Sequence, residues 1–290
     1  MRITRLTAAA GALVLAMTAA ACGGDDSGSG GEKKNFPAGS TMQKLNDAKK
    51  LRVGTKFDQP GFGLKGLSGK PEGFDVEIAK MIAKQLGIAE GNIEYTETPS
   101  TVREQVLQQD KVDIVVATYT INDKRKEVID FAGPYYIAGQ AIMVKKDDTS
   151  ITGPDSFKDG TKKVCSVTNS TPATNIEKYL KDKAKQLVLF DIYQKCVDAL
   201  KGGQVDAVTT DNVILTGFIA TNKDQFKLAG STFTEEPYGI GVKKGDKDFR
   251  NFINDTLEAS FKDGSYTKAW KDTAGKYDPN DPKIPTVDRY

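Results

Sequence analysis

Thr118, Thr120, Asn122 and Arg125 fall within nine residues, "ATYTINDKR" at 117–125, directly after an apolar strand-like run from Val112 to Val116. Two hydroxyls, an amide and a guanidinium thus gather where a strand hands over to a helix. A helix N-terminus presents free backbone N–H groups and partial positive charge, and Arg adds a planar fork matched to a carboxylate. Together they could hold a small anion. The plainer alternative is an Asn122 N-cap with Arg125 turned to solvent. A second Thr-rich strand end, "AVTTD" at 207–211, puts an acid, Asp211, at the matching position of a similar unit. A guanidinium facing a carboxylate across a cleft suits a zwitterionic α-amino acid.

The elements that must position these groups alternate. "KLRVGTKF" reads as a strand, and "GFDVEIAKMIAKQLG" as a helix with apolar residues at 74, 78, 81, 82 and 86 that stops at Gly87. "NIEYTET" is a strand, "STVREQVLQQ" a helix capped by Ser100, "VDIVVATYT" a strand and "NDKRKEVIDF" a short helix. The theme returns with strands in "QAIMVKK", "KKVCSVTNS" and "QLVLFD" and helices over "PATNIEKYLKDKA" and "IYQKCVDALKGG". "VDAVTTDNVILTGFIA" is a strand followed by an apolar helix, and the pair "DFRNFINDTLEASFKDG" and "SYTKAWKDTAG" follows the strand "YGIGVKK". Repeated βα alternation predicts an α/β fold with mostly parallel sheets flanked by helices. The likeness of "VLQQDKVDIVVATYTIND" to "ALKGGQVDAVTTDNVIL" predicts two similar lobes, each offering its strand C-termini to a cleft, where ligands bind in open α/β sheets.

Counts remove whole classes of function. The 290 residues contain no histidine, which excludes Ser-His-Asp and Cys-His nucleophile systems and the common His-containing zinc sites. The N-terminus has the form of an export signal: Arg2 and Arg5, then an apolar Ala-rich run too short for a comfortable membrane span, then Cys22 as a lipid acceptor. Without residues 1–21 the chain loses two arginines and no acids, leaving 39 basic residues against 39 acidic ones. A balanced chain with no basic run gives no reason to expect nucleic acid. "GGDDSGSGGEKKNFPAGS" is Gly/Ser-rich and polar, a flexible tether. Cys165 and Cys196 remain as an isolated pair, which in an exported protein forms a disulfide most simply, with two buried free thiols as the alternative. "GFGLKG" at 61–66 matches a dinucleotide-loop pattern, but more loop follows where a helix should open, so it reads as a flexible turn beside the cleft.

Three segments, "GKPEGFDVEIAKMIAKQLG", "VDIVVATYTINDKRKEVIDFAGPYY" and "GGQVDAVTTDNVIL", resemble the amino-acid-binding proteins of bacterial ABC importers, the polar amino acid type (solute-binding protein family 3). The resemblance spans roughly residues 45–275. It implies a two-lobed periplasmic-binding-protein-like fold (type II) that closes on one amino acid. Residues 1–21 would be the signal peptide, 22–40 the lipid-anchored tether, 41–140 with 240–290 a discontinuous first lobe, and 141–239 the second. By resemblance Arg125 holds the ligand α-carboxylate with Thr120 and the backbone near Thr118, and Asp211 accepts from the α-ammonium. The position of Asn122 often carries Thr or Ser in the family.

Many members place an aromatic residue near Ser100, whereas "TPSTVREQVL" resembles the glutamate/aspartate branch, in which a Ser and an Arg three residues later grip the distal carboxylate. Ser100 and Arg103 would do so here, and Lys56 falls where that branch carries another base. Arg125, Arg103 and Lys56 against Asp211 sum to +2, which suits two carboxylates and one ammonium; a neutral ligand would leave a buried cation unpaired. Ser170 and Thr171, after Asn169 where members often have Gly, are candidate donors to the α-carboxylate. Tyr193 either contacts the ligand side chain or packs as an ordinary half-buried aromatic. Asp75 and Asp113 read as structural. The expected protein is an exported monomer, lipid-anchored to the outer face of the membrane, that delivers glutamate or aspartate to an ABC permease. It needs no cofactor, metal or catalytic residue. Glutamine or another polar amino acid, a sensor, or a dehydratase on the same scaffold are the alternatives.

Overall fold

The computed structural model describes residues 32–223, 225–278 and 280–290. The expected signal peptide and Cys22 lie outside the described residues. So does the first part of the tether, but its last part is not free. Asn46 donates to the Glu32 carbonyl at 2.9 Å, and the Phe36 ring meets Phe252 edge-on at 5.7 Å.

Two five-stranded sheets organise the chain. The first runs Ile93–Glu97, Leu51–Thr55, Ile114–Val115, Glu236–Lys243, Ile129–Ala138, and the second Leu187–Phe190, Val164–Val167, Ala207–Asp211, Gln140–Lys145, Phe226–Leu228. The chain leaves the first sheet through Gly139 and returns between Leu228 and Glu236. Four of the five strands in each sheet run the same way, and one, Glu236–Lys243 in the first and Gln140–Lys145 in the second, is reversed, so each sheet is mixed with a parallel majority. The antiparallel strands are those that enter each sheet from its neighbour, and they arrive reversed.

The helix Phe74–Gln85 shows why the first lobe folds as it does. Asp75 and Glu77 stand in its first turn and Lys84 in its last, as the helix dipole favours. Its apolar stripe, Phe74, Ile78, Ala79, Ile82 and Ala83, is fully buried. Phe74 meets Trp270 and Tyr266 edge-on with centroids 5.3 Å apart, in an aromatic core that also takes in Phe62, Tyr136 and Tyr238. Cys165 and Cys196 are joined, tying the strand Val164–Val167 to the helix Tyr193–Lys201. The segment 284–290 lies along the outer edge of the first sheet. There Phe131 N–H donates to the Tyr290 hydroxyl and Asp288 N–H to the Gly133 carbonyl, both at 2.8 Å.

Four local expectations are corrected. "NDKRKEVIDF" is helical only over Asp123–Lys126, because Ile129 and Phe131 turn inward and pair with Glu236–Lys243. "PATNIEKYLKDKA" breaks after Tyr179, and Asp182 caps a separate short helix, Lys183–Gln186. "GFGLKG" contains a strand, Gly63–Lys65, of a small sheet with Asp58–Gln59 and Pro71–Glu72. Ser100 does not cap the next helix, which starts at Arg103 after an uncapped Val102.

Candidate functional site

The sheets put their strand ends face to face, and the predicted residues converge there. From the first lobe Lys56, Ser100, Arg103, Thr118 and Thr120 line one enclosed cavity; from the second come Ser170, Thr171, Tyr193 and Asp211. Gln59, Pro172 and Ile214 complete its wall. The space is about 10 Å³, on the order of a single water, so an amino acid enters only if the lobes or their side chains part. A larger groove of about 470 Å³ beside the helices Phe74–Gln85 and Lys247–Asp263 lacks such convergence, and its charged side chains pair with one another, as Lys80 does with Glu77 and Glu90.

Arg125 is buried rather than solvent-facing, although Asn122 does cap its helix by accepting from Arg125 N–H at 2.9 Å. Its guanidinium lies against the cavity rim instead of lining it. It donates to the Thr120 carbonyl at 2.6 Å, and across the cleft to the Thr171 hydroxyl at 3.0 Å and the Asn169 carbonyl at 3.2 Å. Glu104 stands 3.3 Å from its Nε. Burial, and then the neighbouring Arg103, push the Arg125 pKa down to about 10, which leaves it charged at neutral pH.

Arg103 lies over the Tyr119 ring, 4.1 Å from its centroid, and donates to the Ala117 carbonyl at 3.0 Å. Its Nε is buried with no hydrogen-bond partner among the described residues. Lys56 donates to Ser100 Oγ at 3.0 Å, which is what Ser100 does in place of capping a helix. Burial and then Arg103 lower the Lys56 pKa to about 7. Opposite, Asp211 accepts from the Tyr238 hydroxyl at 2.6 Å through one oxygen, while the other is buried without a partner among the described residues. Burial and then Glu236 raise its pKa to about 7. The cavity therefore has two basic side chains on one wall, an acid on the other and unpaired polar atoms on both, a lining that complements both signs of charge.

Local conformation holds the rims in place. Thr118 adopts φ 45°, strained for a β-branched residue, and its N–H is held by Asp75 at 2.8 Å while Tyr135 donates to the other Asp75 oxygen at 2.6 Å. The Thr118 N–H is therefore committed to Asp75. Asp113 accepts twice from the Arg52 side chain and once from its backbone, a structural role. Asn169 takes the left-handed conformation (φ 61°) that a glycine would take, and Ser170 caps the helix Thr171–Ile176. Gln59, Tyr119, Tyr238, Glu104 and Glu236 were missed by sequence reasoning. Gln59 stands three residues after Lys56, Tyr119 lies between Thr118 and Thr120 and Glu104 follows Arg103, but Tyr238 and Glu236 lack any spacing signal.

Residues 51–273 match the profile of the bacterial extracellular solute-binding proteins, family 3. The glutamate-binding protein GluB of Corynebacterium efficiens is 37% identical over 283 residues, 94% of this chain and 92% of that protein. The ABC transporter glutamine-binding protein GlnH of Bacillus subtilis is 40% identical over 253 residues, 87% of this chain and 90% of that protein. Among solved structures, an ancestral arginine-binding protein bound to glutamine aligns with TM-score 0.72 and 39% identity, covering 78% of this chain and 97% of its own.

Proposed function

The chain belongs to family 3 of the bacterial extracellular solute-binding proteins, and on that premise we propose that it captures an acidic amino acid, glutamate foremost, and hands it to an ABC permease. Arg125, Thr120, Ser170 and Thr171 would hold the α-carboxylate, Asp211 the ammonium, and Lys56, Ser100 and Arg103 the distal carboxylate. The observation that carries this reading is the placing of Lys56 and Arg103 in one buried cavity opposite Asp211. Two desolvated cations on the side-chain wall favour a ligand with a second negative charge. Capture proceeds by hinge closure: the closed form is favoured by the ligand contacts that span both lobes. Export and a lipid on Cys22, which would hold the protein as a monomer at the outer face of the membrane, belong to the same reading.

Glutamine is the second reading, because a Lys56 poised near neutrality can shed its charge without leaving an unpaired buried cation. Calorimetric titration of the mature protein with glutamate, aspartate and glutamine decides between them. Glutamate is expected to bind most tightly; glutamine binding with no response to either acid would overturn the acidic assignment.

A further inference from the structure

Lys56 and Gln59 line the cavity, and Asp58, between them in sequence, reaches elsewhere. Its carboxylate crosses to the second lobe and accepts from the backbone N–H groups of Tyr193 at 2.8 Å and Gln194 at 3.3 Å. These open the nine-residue helix Tyr193–Lys201, whose own N-cap, Ile192, has no side chain able to accept them. The cap that most helices draw from the preceding residue is here supplied by the other lobe, 135 positions away in sequence. One turn of chain further on, the Pro60 carbonyl packs on the second-lobe helix Asn212–Thr221. A Cβ on Gly217 would sit 2.4 Å from the Pro60 oxygen, so only glycine permits the approach.

From these contacts we propose that Asp58 is a closure latch. It completes a second-lobe helix when the cleft shuts and releases it when the cleft opens. The proposal rests on the binding-protein reading above and adds to it a contribution to affinity that is made by a helix cap rather than by a contact with the ligand. Arg125 also joins the lobes, but through groups assigned to the ligand carboxylate; Asp58 makes its hydrogen bonds to none of the groups assigned to the ligand, although its charge favours the protonated form of Lys56. Its partners are well placed to transmit the effect. Tyr193 lines the cavity, and Cys196, one turn along the same helix, is bonded to Cys165 in the second sheet, so fixing this helix end fixes the wall behind the ligand. A side-chain cap carrying a full negative charge at a helix N-terminus is worth roughly a 3- to 30-fold change in an equilibrium. In the open form both partners return to water, so that factor falls on closure alone.

The test compares wild type, D58A, D58N and Gly217→Ala in titrations against the twenty common amino acids, with dissociation rates for those that bind. D58A should weaken every ligand by the same factor relative to D58N, roughly 3- to 30-fold, chiefly through faster dissociation, since both variants remove the charge that supports Lys56 and differ only in the cap. The order of ligand preference and the melting temperature of the unliganded protein should not differ between D58A and D58N. D58N, a good cap without charge, should recover part of the loss, and Gly217→Ala should reproduce it by blocking the approach. Wild-type affinity and dissociation rate in D58A would overturn the latch alone. So would a ligand preference that differs between D58A and D58N, which would make the carboxylate's contacts specificity contacts, or an equal loss of unliganded stability, which would make Asp58 structural. A wild-type protein that binds none of the twenty would overturn the binding reading and the latch with it.

Discussion

Replacing Asp211 with Asn should make the unliganded protein more stable and the ligand complex weaker, and the two effects should have different pH dependence. The folded protein holds Asp211 near 7 instead of 3.8. A carboxylate whose folded pKa is raised costs nothing below its unfolded value; the cost grows between about pH 4 and 7 and is complete above that. At 1.36 kcal/mol per pH unit the full cost is roughly 4 kcal/mol. Asn resembles the protonated acid in shape and polarity and keeps an acceptor for the Tyr238 hydroxyl. Denaturant unfolding should therefore show Asp211→Asn near neutral at pH 4 and more stable than wild type by roughly 2–4 kcal/mol at pH 8. In titrations at pH 8 the same variant should lose roughly 2–5 kcal/mol of binding to any amino acid, since a buried ammonium loses its charged partner. A stability gain equal at both pH values, or undiminished binding, would refute the assignment of Asp211 as a buried acid waiting for a cation.

Lys56→Met should weaken glutamate at pH 6 and matter less by pH 9. Binding of a dicarboxylate restores the proton that burial loosens near pH 7, so wild-type affinity falls as pH rises past that point, and the variant should lack this fall in pH-dependent calorimetry. Arg103→Gln should narrow the preference for glutamate over glutamine by tenfold or more, about 1.4 kcal/mol, in competition titrations; an unchanged ratio would remove Arg103 from the specificity wall. Arg125→Ala should abolish measurable binding of every amino acid, with a loss of about 3 kcal/mol or more. Converting both Cys165 and Cys196 to Ser opens a loop with a sequence separation of 31 and should cost roughly 3–4 kcal/mol in the chain-entropy model, visible as a lowered melting temperature.

Much of this architecture was legible because its signals are local. The period of Phe74–Gln85, the Thr-rich strand ends and the succession of short strands and helices each occupy a dozen residues or fewer, and they survive folding almost unchanged. Arg125 and Asp211 stood out in the sequence because each ends a unit of the same pattern. What escaped depends on partners far apart in sequence. Tyr238 holds Asp211 from 27 positions away, and Asp58 caps a helix from 135. Ser100 looked like a cap because Ser before a helical pattern usually is one, yet a buried lysine claims its hydroxyl. The helix expected over 172–184 and the one over 122–131 stopped early because cross-strand pairing and a competing cap outweigh helical periodicity.

The segment 284–290 bears on a different hazard. A strand at the margin of a sheet offers unpaired peptide groups to any other chain, and such margins seed aggregation unless they are covered. Ile129–Ala138 is that margin in the first sheet, and Asp288 and Tyr290 occupy two of its peptide groups. The Tyr290 ring is itself held by Arg250 and Lys126, at 4.2 and 4.0 Å. Under the anchored reading, many copies would be concentrated on one surface, and this cover would keep neighbouring copies from zipping together edge to edge.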